Sequence, residues 1–137
     1  MSGKAFLDTN ILVYAADQSE LRKRQAARDL INRLTEKGTP CISTQVAQEF
    51  FVTLTRKMGV APLAARDLVL GLKGFEQVSV DFEDIQTAID GHILWQISFW
   101  DALILTAAKK AQCTVLYSED RNDGQTFGGV RVVNPFR

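Results

Sequence analysis

Apolar and polar positions follow two different periods along the chain. Ala5-Phe6-Leu7 is a short apolar run of the kind a buried strand makes, and Asn10 to Asp17 reads as a short helix. From Ser19 to Lys37 apolar residues fall at Ala26, Ala27, Leu30, Ile31 and Leu34, one face of a helix whose remainder is polar and basic. Gly38 and Pro40 stop it. Cys41-Ile42-Ser43 predicts a second strand. Thr44 to Met58 predicts a helix with Val46, Ala47, Phe50, Phe51 and Leu54 on one side, ended by Gly59. Pro62, suited to a helix start, opens another helix that runs to Leu72. Gln77 to Val80 predicts a third strand, Phe82 to Leu94 a helix, and Ser98 to Ala111 a helix apolar nearly all round. Thr114 to Tyr117 predicts a fourth strand, Asn122-Asp123-Gly124 a turn, and Val130 to Val133 a last strand.

Strands that alternate with helices imply an α/β fold, a central and mainly parallel sheet flanked by helices through right-handed crossovers. The expected strand order is 3-2-1-4-5. The chain builds outward from its first strand and then returns to the other side, which leaves a switch point between strands 1 and 4. Open α/β sheets bind ligands at the carboxyl ends of their strands at such a point. No repeat, low-complexity segment or linker divides the sequence, and 137 residues fit one domain, 1–137.

Composition narrows the chemistry. The chain is 46% hydrophobic and 23% charged, a profile of soluble globular proteins. Lys plus Arg equals Asp plus Glu at 16 each, so it is not the strongly basic protein that coats nucleic acid. Cys41 and Cys113 stand apart in short apolar runs and read as buried thiols rather than zinc ligands. A single histidine, His92, excludes a His-rich metal site. Met1 to Lys4 lead straight into a strand without a long apolar leader, and no apolar run approaches a membrane span, so a cytoplasmic protein is expected.

The topology also makes a prediction about acids. Asp8 directly follows the first strand and so stands at the carboxyl edge of the sheet. Asp120 follows the fourth strand by a few residues, at the same edge and next door. Asp101 lies near the start of the helix that leads into the fourth strand, and that helix, antiparallel to its strand, begins at this edge. Glu49 lies about one and a half turns into the helix after the second strand, roughly 8 Å below the edge. Helical side chains tilt toward the N-terminus, so it points back up. Four acids remote in sequence are therefore expected to converge. Grouped carboxylates repel one another unless a cation balances them. Mg²⁺ suits all-oxygen ligands and supports attack of water on a phosphodiester.

Each residue also has an ordinary local role. Asp8 suits a helix N-cap, Glu49 a solvated helix surface, and Asp101 a capping box with Ser98. Asp120 competes with Glu119 and Asp123 in a polar turn. Asn10 and Ser118 are placed to orient Asp8 and Asp120 by hydrogen bonds. Arg22, Lys23, Arg24, Arg28, Arg56 and Lys57 are candidates for phosphate contact or for a solvated face. Phe50, Phe51, Trp95, Phe99 and Trp100 are candidates for core or for a partner groove.

Phe6-Leu7-Asp8-Thr9-Asn10-Ile11-Leu12, Gln48-Glu49-Phe50, Phe99-Trp100-Asp101-Ala102-Leu103-Ile104, Leu116-Tyr117-Ser118-Glu119-Asp120 and the tail Val132-Val133-Asn134-Pro135-Phe136 together resemble the PIN-domain family. Within it they resemble the VapC-type toxins of prokaryotic toxin–antitoxin pairs. The resemblance spans essentially the whole chain. It implies a three-layer PIN-like fold and a Mg²⁺- or Mn²⁺-dependent endoribonuclease, usually a homodimer, silenced by a cognate antitoxin that places a basic side chain in the acidic site. Carried over, Asp8, Glu49, Asp101 and Asp120 are the metal-site acids and Asn10 supports them, with Asp123 close enough to share or replace the role of Asp120. Three other readings compete. A phosphatase of the haloacid-dehalogenase type would use Asp8 as nucleophile, but Asn10 stands where its second acid belongs. A receiver-like domain would use Asp81 and needs a lysine after the fourth strand, where Ser118-Glu119-Asp120 stands instead. The third is a catalytically inactive PIN-like binding module.

Overall fold

The computed structural model describes residues 4–120 and 123–137. Its elements run β1 (Lys4–Leu7), α1 (Thr9–Ala16), α2 (Leu21–Lys37), β2 (Cys41–Ser43), α3 (Thr44–Arg56), α4 (Pro62–Leu70), a 3-10 turn (Gly71–Gly74), β3 (Glu76–Val78), α5 (Phe82–Trp95), α6 (Phe99–Lys110), β4 (Cys113–Tyr117), β5 (Thr126–Phe127) and β6 (Val130–Val133). The sheet order is β3-β2-β1-β4-β6-β5. Every pairing is parallel except β5 with β6. This is the α/β class expected, with the switch point between β1 and β4.

The difference in strand order lies at one edge. The expected fifth strand, Val130–Val133, is β6, and β5 pairs outside it through a two-residue turn at Gly128-Gly129. Both glycines have positive φ, 56° and 88°. Two-residue hairpins favour that geometry, and glycine adopts it without steric cost. The Gly-Gly dipeptide carried the signal, but two strand residues are too few to show a period.

Other shifts have local causes. β3 spans Glu76–Val78 rather than Gln77–Val80 because β2 offers it three residues, Cys41 opposite Glu76 through Ser43 opposite Val78. α4 ends at Leu70, and its expected last turn tightens into the 3-10 segment. The turn expected at Asn122-Asp123-Gly124 falls partly outside the described residues, because Asn122 is not among them.

The core explains why α6 is apolar on all sides. Ala102 through Ala108 are buried without interruption, as expected of a helix covered all round. Phe6, Leu7, Ile42, Ile104, Leu105, Leu116, Val130 and Val132 are almost wholly buried, joining the central strands to α6. Among the described residues no helix is long and apolar enough to cross a membrane.

Helix starts are fixed by side chains beside strand ends. Asp8 follows β1 and caps α1, accepting from Thr9 N at 2.7 Å. Ser43 ends β2 and caps α3, and Ser98 Oγ accepts from Asp101 N at 3.1 Å to cap α6. Asp81 and Asp84 form a full capping box on α5. Short polar residues at these positions satisfy amides that the helix leaves unbonded.

Candidate active site

The carboxyl ends of β1 and β4 lie side by side, with Leu7 opposite Tyr117. This register delivers Asp8 and Ser118, the next residues of each strand, to one place. Asp8 is only 4% exposed and Ser118 is fully buried. Ser118 Oγ donates to Asp8 Oδ2 at 2.7 Å, while Asp8 Oδ1 takes the Thr9 amide. Hydrogen bonds to a buried carboxylate offset part of its lost hydration.

Above Asp8 opens a cavity of about 740 Å³, lined by acids from three parts of the chain: Asp8 and Asp17, Glu49, and Glu119 and Asp120. Each outer acid rests on protein partners. Glu49 Oε1 accepts from Thr9 Oγ1 at 2.7 Å and Oε2 from Gln45 Nε2 at 3.4 Å. Asp120 Oδ2 accepts from Asn10 Nδ2 at 3.1 Å. Asn10 also donates to Ser118 Oγ at 3.4 Å and accepts from Glu119 N at 3.3 Å, so it ties the two strand-end loops together.

Glu119 is balanced rather than open. Burial works against its charged form, but hydrogen bonds from Lys23 and Tyr14 outweigh it and hold the carboxyl below its ordinary range. The same contact with Glu119 raises the Tyr14 hydroxyl and the Lys23 ammonium. Asp17 is lowered by the Ser19 hydroxyl and amide. Lys57 also lines the cavity, the one cation among its described lining residues.

Asp8, Glu49 and Asp120 thus share the cavity, as the edge argument expects. Asp101 does not line it. It stands in the first turn of α6, half-buried, with its amide on Ser98. Of the four acids expected to meet, Asp8, Glu49 and Asp120 line the cavity, and among the described residues no group of three His, Cys, Asp or Glu side chains is arranged to hold a metal ion. Glu49 and Asp120 are drawn onto neutral donors instead. Asp123 is placed elsewhere, accepting from Asn134 N at 2.8 Å and pairing with Arg137 at 3.7 Å. It is Asp120 that faces the cavity.

Several of the basic candidates are used internally. Arg22 donates to the Phe136 carbonyl, Arg28 Nε donates to the Ala15 carbonyl at 2.8 Å, and Lys23 binds Glu119. Asp81 belongs to the α5 capping box and pairs with Lys110, away from the cavity. His92 meets the Ile97 carbonyl at the end of α5. Phe50 is core, whereas Phe51 and Trp100 are exposed. Thr9, Gln45 and Tyr14 were not singled out from sequence. Thr9 adjoins Asp8, and Gln45 precedes Glu49 by four residues on one helix face, so spacing held a signal for both.

The donor set is all oxygen, with one carboxylate anchored at the base and two near the opening. That fits a hard dication that keeps several waters and takes few protein ligands. It does not fit zinc, which prefers nitrogen and sulfur.

Comparison with known proteins agrees with this architecture. No curated protein sequence matches the chain. A toxin–antitoxin complex from Klebsiella pneumoniae is similar in structure, with TM-score 0.70 at 19% identity over 96% of this chain and 98% of that one. The sarcin-ricin loop cleaving toxin VapC20 of Mycobacterium tuberculosis has TM-score 0.68 at 18% identity, over 85% and 90%. VapBC2 of Rickettsia felis, bound to a promoter DNA fragment, has TM-score 0.70 at 17% identity, over 93% and 96%. At such identities the likeness concerns the fold. The PIN domain model, however, matches residues 5–125, which include β1 from its second residue, the cavity acids and the paired ends of β1 and β4. By that match the chain belongs to the PIN domain family.

Proposed function

We propose that this chain is a Mg²⁺- or Mn²⁺-dependent endoribonuclease and the toxin of a type II toxin–antitoxin pair. The observation that carries the reading is that Asp8, Glu49 and Asp120, from separated stretches, line one open cavity at the carboxyl ends of β1 and β4. Family membership and the fold shared with toxin–antitoxin proteins support it. Asp8 is the anchoring ligand, held in place by Ser118. Glu49 and Asp120 complete the site by releasing Thr9, Gln45 and Asn10, whose neutral hydrogen bonds cost little to exchange. Asp101, in the first turn of α6, is the fourth acid of this reading. A bound dication supplies Lewis acidity toward water and toward the phosphodiester. RNA is the substrate, a cognate antitoxin the silencing partner, and a cytoplasmic homodimer the working form.

The test is Asp8→Asn. Asparagine caps helices as well as aspartate does, so α1 keeps its start, while the charge and the second acceptor oxygen, the one that faces Ser118, are lost. RNA cleavage should fall by roughly 100-fold or more, the equivalent of about 3 kcal/mol of transition-state stabilisation, with an unchanged circular-dichroism spectrum. EDTA should stop the parent protein and added Mn²⁺ restore it. Equal cleavage by variant and parent, or activity indifferent to chelation, overturns the assignment.

A further inference from the structure

Lys23 and Glu119 are 96 residues apart in sequence, yet the ammonium of one ends on the carboxylate of the other. Tyr14 completes the contact. Its hydroxyl donates to Glu119 Oε1 at 2.8 Å and accepts from Lys23 Nζ at 3.3 Å. Lys23 Nζ also lies 4.7 Å from the centre of the Tyr14 ring and 5.7 Å from that of Phe136. The two rings meet edge to face at 5.1 Å, and Arg22 holds the Phe136 carbonyl at 3.2 Å. α1, α2, the loop after β4 and the C-terminal segment are knotted at one point.

An exposed ion pair would mean little. Here the side chains of Lys23 and Glu119 are only 27% and 23% exposed, and the cation is shared between a carboxylate, a hydroxyl and two rings. The residue after Glu119 is Asp120. The Glu119 amide is held by Asn10 Oδ1 and the Asp120 amide by Ser118 Oγ, each at 3.3 Å. Of two successive carboxylates, one is therefore matched to a cation and the other is held on Asn10 at the cavity.

We propose that Lys23 is a positioning residue: by pairing with Glu119 beside Tyr14 and Phe136 it fixes the loop that presents Asp120, and it keeps Glu119 from competing for the cation. This rests on the metal-dependent reading above. Lys23→Met preserves most of the apolar stem and removes the charge. Mn²⁺ affinity, followed by electron paramagnetic resonance, should weaken about tenfold or more, the usual cost of losing a partner behind a ligand. Amide exchange should quicken at Glu119 and Asp120 but not in β1 or β4. Lys23→Arg should restore both, and adding Glu119→Gln to Lys23→Met should recover part of the affinity, because no unmatched carboxylate then remains. Parent-like Mn²⁺ affinity and exchange in Lys23→Met overturn the proposal, as does exchange that rises equally throughout the sheet. A parent chain that binds no Mn²⁺ overturns the metal reading, and the exchange comparison still decides whether Lys23 fixes the loop.

Discussion

Asp8 is buried, accepts hydrogen bonds from the Thr9 amide and the Ser118 hydroxyl, and begins a helix. Its neighbour in the site, Asp120, is exposed and, among the described residues, accepts from the Asn10 amide side chain. The contrast separates an anchor from a group able to move. In sequence Asp123 stands as the alternative to Asp120, because a turn can aim either residue at the edge. The fold separates them through the Asn134 amide and Arg137, both of which take Asp123. Asp120→Asn should therefore cost at least about tenfold in RNA cleavage, while Asp123→Asn leaves cleavage within about twofold of the parent. A larger loss at Asp123 than at Asp120 in the same assay would reverse the assignment. Asp101 shows what sequence position leaves open. Being near a helix start fixes height along the sheet edge, but not which neighbours the side chain takes.

At the scale of elements, α5 ends against a close contact that its helical period does not reveal. Trp95 packs over Gly91, and a Cβ added there would lie 2.8 Å from the indole ring. The ring cannot easily retreat, because Gly128 faces it from the hairpin at a distance that leaves 3.2 Å for a Cβ, and Phe127 meets it edge on at 5.6 Å. Gly91→Ala gains up to about 1 kcal/mol of helix propensity. Forcing the ring out of a filled space costs roughly 1–3 kcal/mol. The net expectation is a lower urea midpoint, and a midpoint equal to or above the parent's would show that Trp95 shifts freely. Long elements were legible because each carries several repeats of its period and a cap or breaker at its ends, as Pro62 and Ser98 do. β5 was not, since its two residues owe their pairing to β6 and to the Gly128-Gly129 turn rather than to any pattern of their own.

Across the whole molecule, the order of the four inner strands and the switch point followed from the alternation of strands and helices, because right-handed crossovers leave few ways to lay them side by side. What alternation cannot supply is side-chain reach, which is why three acids and not four line the cavity as expected, with Asp17 and Glu119 beside them. The sheet also encloses both thiols. Cys41 and Cys113 are buried, and burial is the first cause that pushes each of them up from 9.0. The unfolded chain then releases thiol protons at a pH where the fold retains them. Stability should be unaffected by the thiols below pH 9.0 and should decline as pH rises past it. Lys4 and Lys110, raised from 10.5 by Glu76 and Asp84, add to the decline only at still higher pH. Urea denaturation on either side of pH 9.0 tests the sign, and native thiols that react with Ellman's reagent at neutral pH would contradict it.

The bond between Ser118 and Asp8 spans 110 residues. During synthesis the first carboxylate of the cavity is made well before the hydroxyl that anchors it and the acid that faces it. A fragment that stops short of Asp120 lacks this arrangement, so the complete site exists only once both distant stretches of chain have been made.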